Sequence, residues 1–131
     1  MSKITPEMKN MIEKFQCYVA TADAEGNPNV APKGSTTVID EQTIAFAEIV
    51  GKKTYQNIKA NPKVAVVVTD RETMSGYRFL GRTELITEGA LYDRYTESLN
   101  RMNMPNPIAV VKITVEEIYD MSVRNPGGRI Y

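Results

Sequence analysis

The sequence predicts a mainly β protein, a six-stranded antiparallel β-barrel with helices packed outside it. Three observations predict this. Short β-prone runs recur, separated by turn clusters rich in Gly, Pro, Asn and Asp. Helical periodicity occurs in only three places: at the start, in the middle and late in the chain. The length of 131 residues, with 42% hydrophobic and 24% charged residues, suits one domain with its own core, expected to span 1–131.

Thr5-Pro6-Glu7 opens the first helix. Thr5 suits the cap, Pro6 the first helical position, and Glu7 complements the dipole. Met8, Met11, Ile12 and Phe15 form one apolar stripe, read as core. Cys17 to Ala22 is the first strand, and the turn cluster Asp23 to Pro28 follows. Asn29 to Ile39 reads as one second strand, interrupted at Pro32 and Gly34. After the turn at Asp40, Thr43 to Ala47 is the third, and the three form a meander.

Lys52 to Asn61 is a short helix stopped by Pro62. Lys63 to Thr69 is a nearly continuous β-branched run, expected to be buried on both faces. Arg71 to Gly76 is a turn, and Tyr77 to Ile86 is the fifth strand, with Gly81 a bulge. From Gly89 to Met104 a helix places Leu91, Tyr92, Tyr95, Leu99 and Met102 on one face. Ile108 to Val115 is the sixth strand, and the Gly/Pro-rich tail ends in the apolar pair Ile130-Tyr131.

Composition excludes several chemistries. There is no histidine, which removes Ser-His-Asp and Cys-His catalysis, the usual zinc sites and a histidine-ligated haem. Cys17 is the single cysteine, so two-cysteine redox motifs are impossible; it reads as a buried structural thiol. Sixteen basic and sixteen acidic residues balance to zero, which argues against binding nucleic acid by phosphate neutralisation. No run reaches the roughly 18–20 apolar residues of a membrane span, and Met1 to Pro6 carries no secretory core, so a cytoplasmic protein is expected. Redox chemistry would need a cofactor.

Two segments carry chemistry. Gly51-Lys52-Lys53-Thr54 places a glycine loop, two lysines and a hydroxyl where a helix starts. Free amides and the dipole favour an anion there, above all a phosphate. The competing reading is a solvated lysine pair beside a capping Thr54. Pro32-Lys33-Gly34-Ser35-Thr36 is the second segment, read as backbone groups left unpaired by a neighbouring strand. Its competing reading is a bulged edge strand. Pairing of the second and third strands would bring it near Ala47 to Thr54.

In order and spacing, several segments resemble the FMN-binding split-barrel group related to pyridoxamine 5′-phosphate oxidase. They are Val19 to Ala22, the turn Gly26-Asn27-Pro28, the polar run Pro32 to Thr36, Lys53-Thr54, Asn57-Ile58 and Asn61-Pro62. The resemblance covers roughly residues 12 to 115. It implies a homodimer with FMN at the subunit interface. Pro32, Lys33, Gly34, Ser35 and Thr36 would lie along the flavin towards its phosphate. Ala47, Glu48, Ile49 and Val50 would pass along the ring, and Lys52, Lys53 and Thr54 would hold the phosphate. Glu48 itself is read as a solvated loop carboxylate, and Ile130 and Tyr131 as reaching the partner. Lys33 stands roughly where the oxidase carries an arginine, and Arg124 and Arg129 do not match its C-terminal substrate segment. The expectation is therefore an FMN-dependent oxidoreductase, flavin reductase-like, or an electron-transfer protein with a small-molecule or protein redox partner. An F420 or haem binder of the same fold, and a non-enzymatic flavin-binding or structural module, are the alternatives.

Overall fold

In the computed structural model, which describes residues 3–131, Thr5 caps the first helix as its place before Pro6 predicts. Its hydroxyl accepts the Met8 amide at 3.2 Å, and the Met8 sulfur takes the Thr5 amide in return. Met1 and Ser2, which open the segment read as free of a secretory core, lie outside the described residues. The helices are α1 (Pro6–Lys14), α2 (Lys53–Ala60) and α3 (Ala90–Arg101). The strands are β1 (Cys17–Ala22), β2 (Pro28–Pro32), β3 (Thr37–Asp40), β4 (Thr43–Glu48), β5 (Lys63–Asp70), β6 (Ser75–Ile86), β7 (Ala109–Asp120) and the two-residue β8 (Gly128–Arg129).

All strand pairings are antiparallel, in the order β2-β1-β5-β6-β7-β4-β3, with β8 added to β7. The expected second strand is therefore two strands. β2 pairs with β1 and β3 with β4, at opposite ends of the sheet, so the meander is corrected to two separate hairpins. The strand count rises from six to eight by this split and by β8.

The split dictates the shape. Laid flat, seven strands about 4.8 Å apart would set β2 and β3 about 29 Å from each other. The five Cα steps from Pro32 to Thr37 reach at most about 18 Å. The sheet must roll until its two edges face one another, and the link at residues 33–36 lies at that seam.

The rolled sheet encloses Cys17, Val19, Ile44, Phe46, Val64, Val66, Val68, Phe79, Val111, Ile113, Val115 and Ile118. Met8, Met11 and Ile12 of α1 and Ile58 of α2 join this core. β5 is not buried on both faces: Val64, Val66 and Val68 point inward, while Ala65 and Val67 are half-buried. The strand buried on both faces is β4. Its Ala45 and Ala47 are covered by Tyr95 and Leu99 of α3 together with Val110. Small alanines let a helix approach where a valine run gave no such cue. Met102, expected on the same buried face, is exposed because α3 ends at Arg101.

Gly81 forms the expected bulge, where the β6–β7 register shifts. A side chain there would meet the Thr114 carbonyl at 2.4 Å. In the tail, Tyr131 packs on the main core, with the Lys3 ammonium 4.4 Å from its ring centre. Its amide donates to Ile118 O, so Tyr131 is held by its own chain. Ile130 beside it is exposed.

Candidate functional site

β2 ends because Pro32 has no amide to donate. The Lys33 amide makes one more bond, to Cys17 O at 3.0 Å, and the chain then leaves the β1 edge. It turns at once: the Thr36 hydroxyl and amide both donate to Lys33 O, at 2.6 and 3.3 Å. Ser35 Oγ accepts the Ala47 amide at 2.8 Å, so a side chain stands in for the next backbone acceptor of the β3–β4 ladder. The Tyr95 hydroxyl closes the arrangement from α3. It lies 2.6 Å from Thr37 Oγ1, 2.8 Å from Ala45 O and 3.1 Å from Ser35 O. Burial pushes its phenol above the ordinary range, and the Thr37 hydrogen bond opposes this.

Lys33 points at Glu48. Its Nζ is 3.0 Å from Glu48 Oε1, and the carboxylate is 2% exposed. Glu48 Oε2 accepts the Gly51 amide at 3.2 Å. One expectation here needs correction. Glu48 is not a solvated loop carboxylate but the buried last residue of β4. The charge of Lys33 is compensated by Glu48.

These two segments together line a groove of about 400 Å3. Pro32, Lys33, Gly34 and Ser35 come from the one, and Ala47, Glu48, Ile49 and Val50 from the other. Leu99, Met102 and Met104 complete it. The sequence reading had missed these three. The cue available was a Met- and Pro-rich link, 102–107, between a helix and a strand. A Cβ at Gly34 would have only Gln16 Oε1 within reach, at 4.0 Å, so the chain itself leaves the space beside Gly34 open.

The four remaining predicted residues sit outside the groove lining. Thr36 is buried and engaged by its own turn. Gly51, at φ +72°, turns the chain into α2, a conformation that favours glycine. The cap of α2 is Lys52, not Thr54, and it makes no side-chain cap bond. The helix has no acid in its first turn, and its first amide bonded to the cap carbonyl is that of Gln56. The dipole end is therefore open to an anion. Lys52 and Lys53 are exposed beside it, with Lys53 Nζ 3.6 Å from Asp23 Oδ2. The Asp23 carboxyl is held down at about 2, first by the Asn27 side chain and then by the Asn27 amide. Thr54 is buried and accepts the Asn29 amide group at 3.3 Å; Asn57 donates to Thr21 Oγ1 at 3.0 Å. These bonds fix α2 on β1 and β2. From Asn29 at the helix to Pro32 at the groove is three residues of β2, about 10 Å.

Cys17 is buried as expected, and burial pushes its thiol up to about 11 against the lowering effect of Thr36. Among the described residues no group of three or more His, Cys, Asp or Glu side chains is placed to hold a metal ion. No helix among them is long and apolar enough to cross a membrane.

A coiled antiparallel sheet whose two edges meet beside a groove, with helices outside, is a split barrel. The chain belongs to the pyridoxamine 5′-phosphate oxidase family, whose sequence profile matches residues 4–122. It is 31% identical to an uncharacterized protein of Methanocaldococcus jannaschii, over 98% of this chain and 87% of that protein. Its fold superposes on HupZ of Group A Streptococcus with a TM-score of 0.88 and 38% identity, over 98% of this chain and 99% of that one. An FMN-binding protein from Syntrophomonas wolfei shares the fold at 23% identity and a TM-score of 0.76, over 88% of this chain and 84% of that one.

Proposed function

We propose that this protein binds FMN in the groove between Pro32–Ser35 and Ala47–Val50 and works as an oxidoreductase or electron-transfer protein. The observation that carries the reading is the arrangement of the groove and the open α2 terminus. They lie about 10 Å apart along β2, a span that a ribityl chain with its phosphate covers. The flavin ring suits the groove, whose lining is mostly apolar apart from one internally paired charge. The phosphate suits the α2 amides with Lys52 and Lys53. Thr36 and Thr54, engaged by their own chain, support these two ends from behind.

Bound there, the flavin would supply hydride or electron transfer. The chain's own part is to orient and shield it. Ser35 and the 47–50 backbone flank the ring, and Leu99, Met102 and Met104 keep water from one side. Val50, Met102, Met104 and Ile108 leave apolar surface exposed near the groove. A second copy of the chain would cover it, which supports a homodimer.

The test is titration of the purified protein with FMN, followed by flavin fluorescence, with riboflavin as the phosphate-free control. Saturable binding of FMN, tighter than of riboflavin, is expected, together with a dimer by sedimentation. Absence of FMN binding, or release of a deazaflavin from the purified protein, would overturn the assignment.

A further inference from the structure

The Lys33–Glu48 ion pair has a position that its structural role does not require. A buried pair costs desolvation on both charges, and apolar residues of similar volume are often as good for stability. Here the pair forms part of the groove wall, with side chains 17% and 2% exposed. Glu48 also holds the Gly51 amide, so one carboxylate joins the seam to the loop that starts α2. The Lys33 ammonium lies 5.5 Å from the centre of the buried Phe46 ring, so the aromatic face of the core also meets the charge. Among the described residues no other charged side chain lines the groove.

We propose that Glu48 is a positioning residue that sets the charge selectivity of the groove, holding Lys33 compensated so that an uncharged ring is accepted there. This rests on the groove being the flavin site. The phosphate is then directed to α2, whose open amides have no acid in the first turn and are flanked by the exposed Lys52 and by Lys53, the latter shared with Asp23 at 3.6 Å. The same pairing sets the balance between the neutral oxidised ring and its anionic reduced form. Removing the Glu48 charge leaves an ammonium facing the ring and favours the anion; removing the Lys33 charge leaves a carboxylate and disfavours it.

The experiment uses the full chain as Glu48→Gln, Lys33→Met and the double variant, with FMN and riboflavin as probes. Affinity for each oxidised flavin, the midpoint potential of the bound flavin and the thermal midpoint of the apoprotein are measured. Glu48→Gln is expected to strengthen binding of reduced over oxidised FMN by about tenfold, a rise of about 30 mV for a two-electron couple. Lys33→Met is expected to shift the potential the opposite way, and the double variant to return near the parent. Riboflavin should show the same shifts, because they belong to the ring and not to the phosphate. If Glu48→Gln does not fold, the shift in Lys33→Met and its reversal in the double variant still decide the matter. Parent protein that binds FMN while these variants keep its potential would overturn the role of the pair alone. Parent protein that binds no flavin would overturn the flavin site and this inference together.

Discussion

Replacing Tyr95 by phenylalanine tests whether α3 pins the seam of the barrel. The ring stays, with its packing on Ala45, Ala47, Leu99 and Val110, and only the hydroxyl is lost. That hydroxyl has one proton and three oxygens near it. It donates to one carbonyl, with Ala45 O the shorter, and accepts from Thr37. Two net hydrogen bonds are worth about 1 kcal/mol each, and a buried acceptor left without its donor adds to the loss, for a total of about 2–3 kcal/mol. At about 2.1 cal/mol/K per residue, the unfolding entropy makes this a fall of about 7–11 °C in the thermal midpoint of the 131-residue chain. The assay is thermal unfolding by circular dichroism of Tyr95→Phe, Thr37→Val and the double variant. The double should lose less than the sum of the singles, because the two hydroxyls share a bond. Additive losses, or a fall under about 2 °C for Tyr95→Phe, would refute the pinning argument. Alkali gives a second check. The Tyr95 phenol titrates higher in the folded chain than in the unfolded one. Its contribution is complete below the ordinary tyrosine value of about 10 and is lost as pH rises above it. Tyr95→Phe should therefore lose less stability than the parent above pH 10.

Gly34→Val should leave the thermal midpoint within about 2 °C of the parent, since its Cβ meets open space. It should nonetheless abolish or strongly weaken FMN binding by filling the groove, and unchanged binding would place the flavin elsewhere. Lys53→Ala should weaken FMN about ten- to a hundredfold and riboflavin hardly at all, as expected for loss of a charge-assisted phosphate contact; equal weakening of both would remove Lys53 from the phosphate site. Cys17, with its thiol raised from 9.0 to about 11, should react with a disulfide reagent at pH 8 at least a hundredfold more slowly in the native than in the urea-unfolded protein. Its stabilising effect is present below pH 9 and lost between about 9 and 11, so rapid native labelling would contradict the burial.

Local chemistry made much of the fold legible. Thr5-Pro6, Asn61-Pro62 and the β-branched runs mark their elements by backbone preferences that tertiary contacts did not override. The division at residues 33–36 was not legible, because Pro32 and Gly34 signal an interruption without saying that the two sides join different sheet edges. Burial of β4 on both faces depends on α3, which lies far along the chain, and no period-two pattern reports it. At the site, the adjacency of Pro32–Ser35 with Ala47–Val50 follows from the expected pairing of the second and third strands, which holds for residues 37–40 but not for 29–32. The Ser35–Ala47 bond extends that β3–β4 ladder to the groove. The partnership of Lys33 with Glu48, fifteen residues apart, is a product of that rolling and has no local signature.

The rolled sheet also has a mechanical asymmetry. Its neighbouring strands are laced by hydrogen-bonded ladders, with register shifts at Gly81 and between Val38 and Asp40, everywhere except where β2 and β3 come round to face each other. There the cylinder is held by a four-residue hinge and a few side-chain bonds, so prying it open severs far fewer links than separating β5, β6 and β7. Amide exchange should follow that order, with residues 33–36 and the β3 edge releasing protons to solvent well before the central strands. A molecule seated at such a joint behaves as a rivet. It would slow exchange on both lips at once and raise the melting temperature in proportion to the logarithm of its concentration.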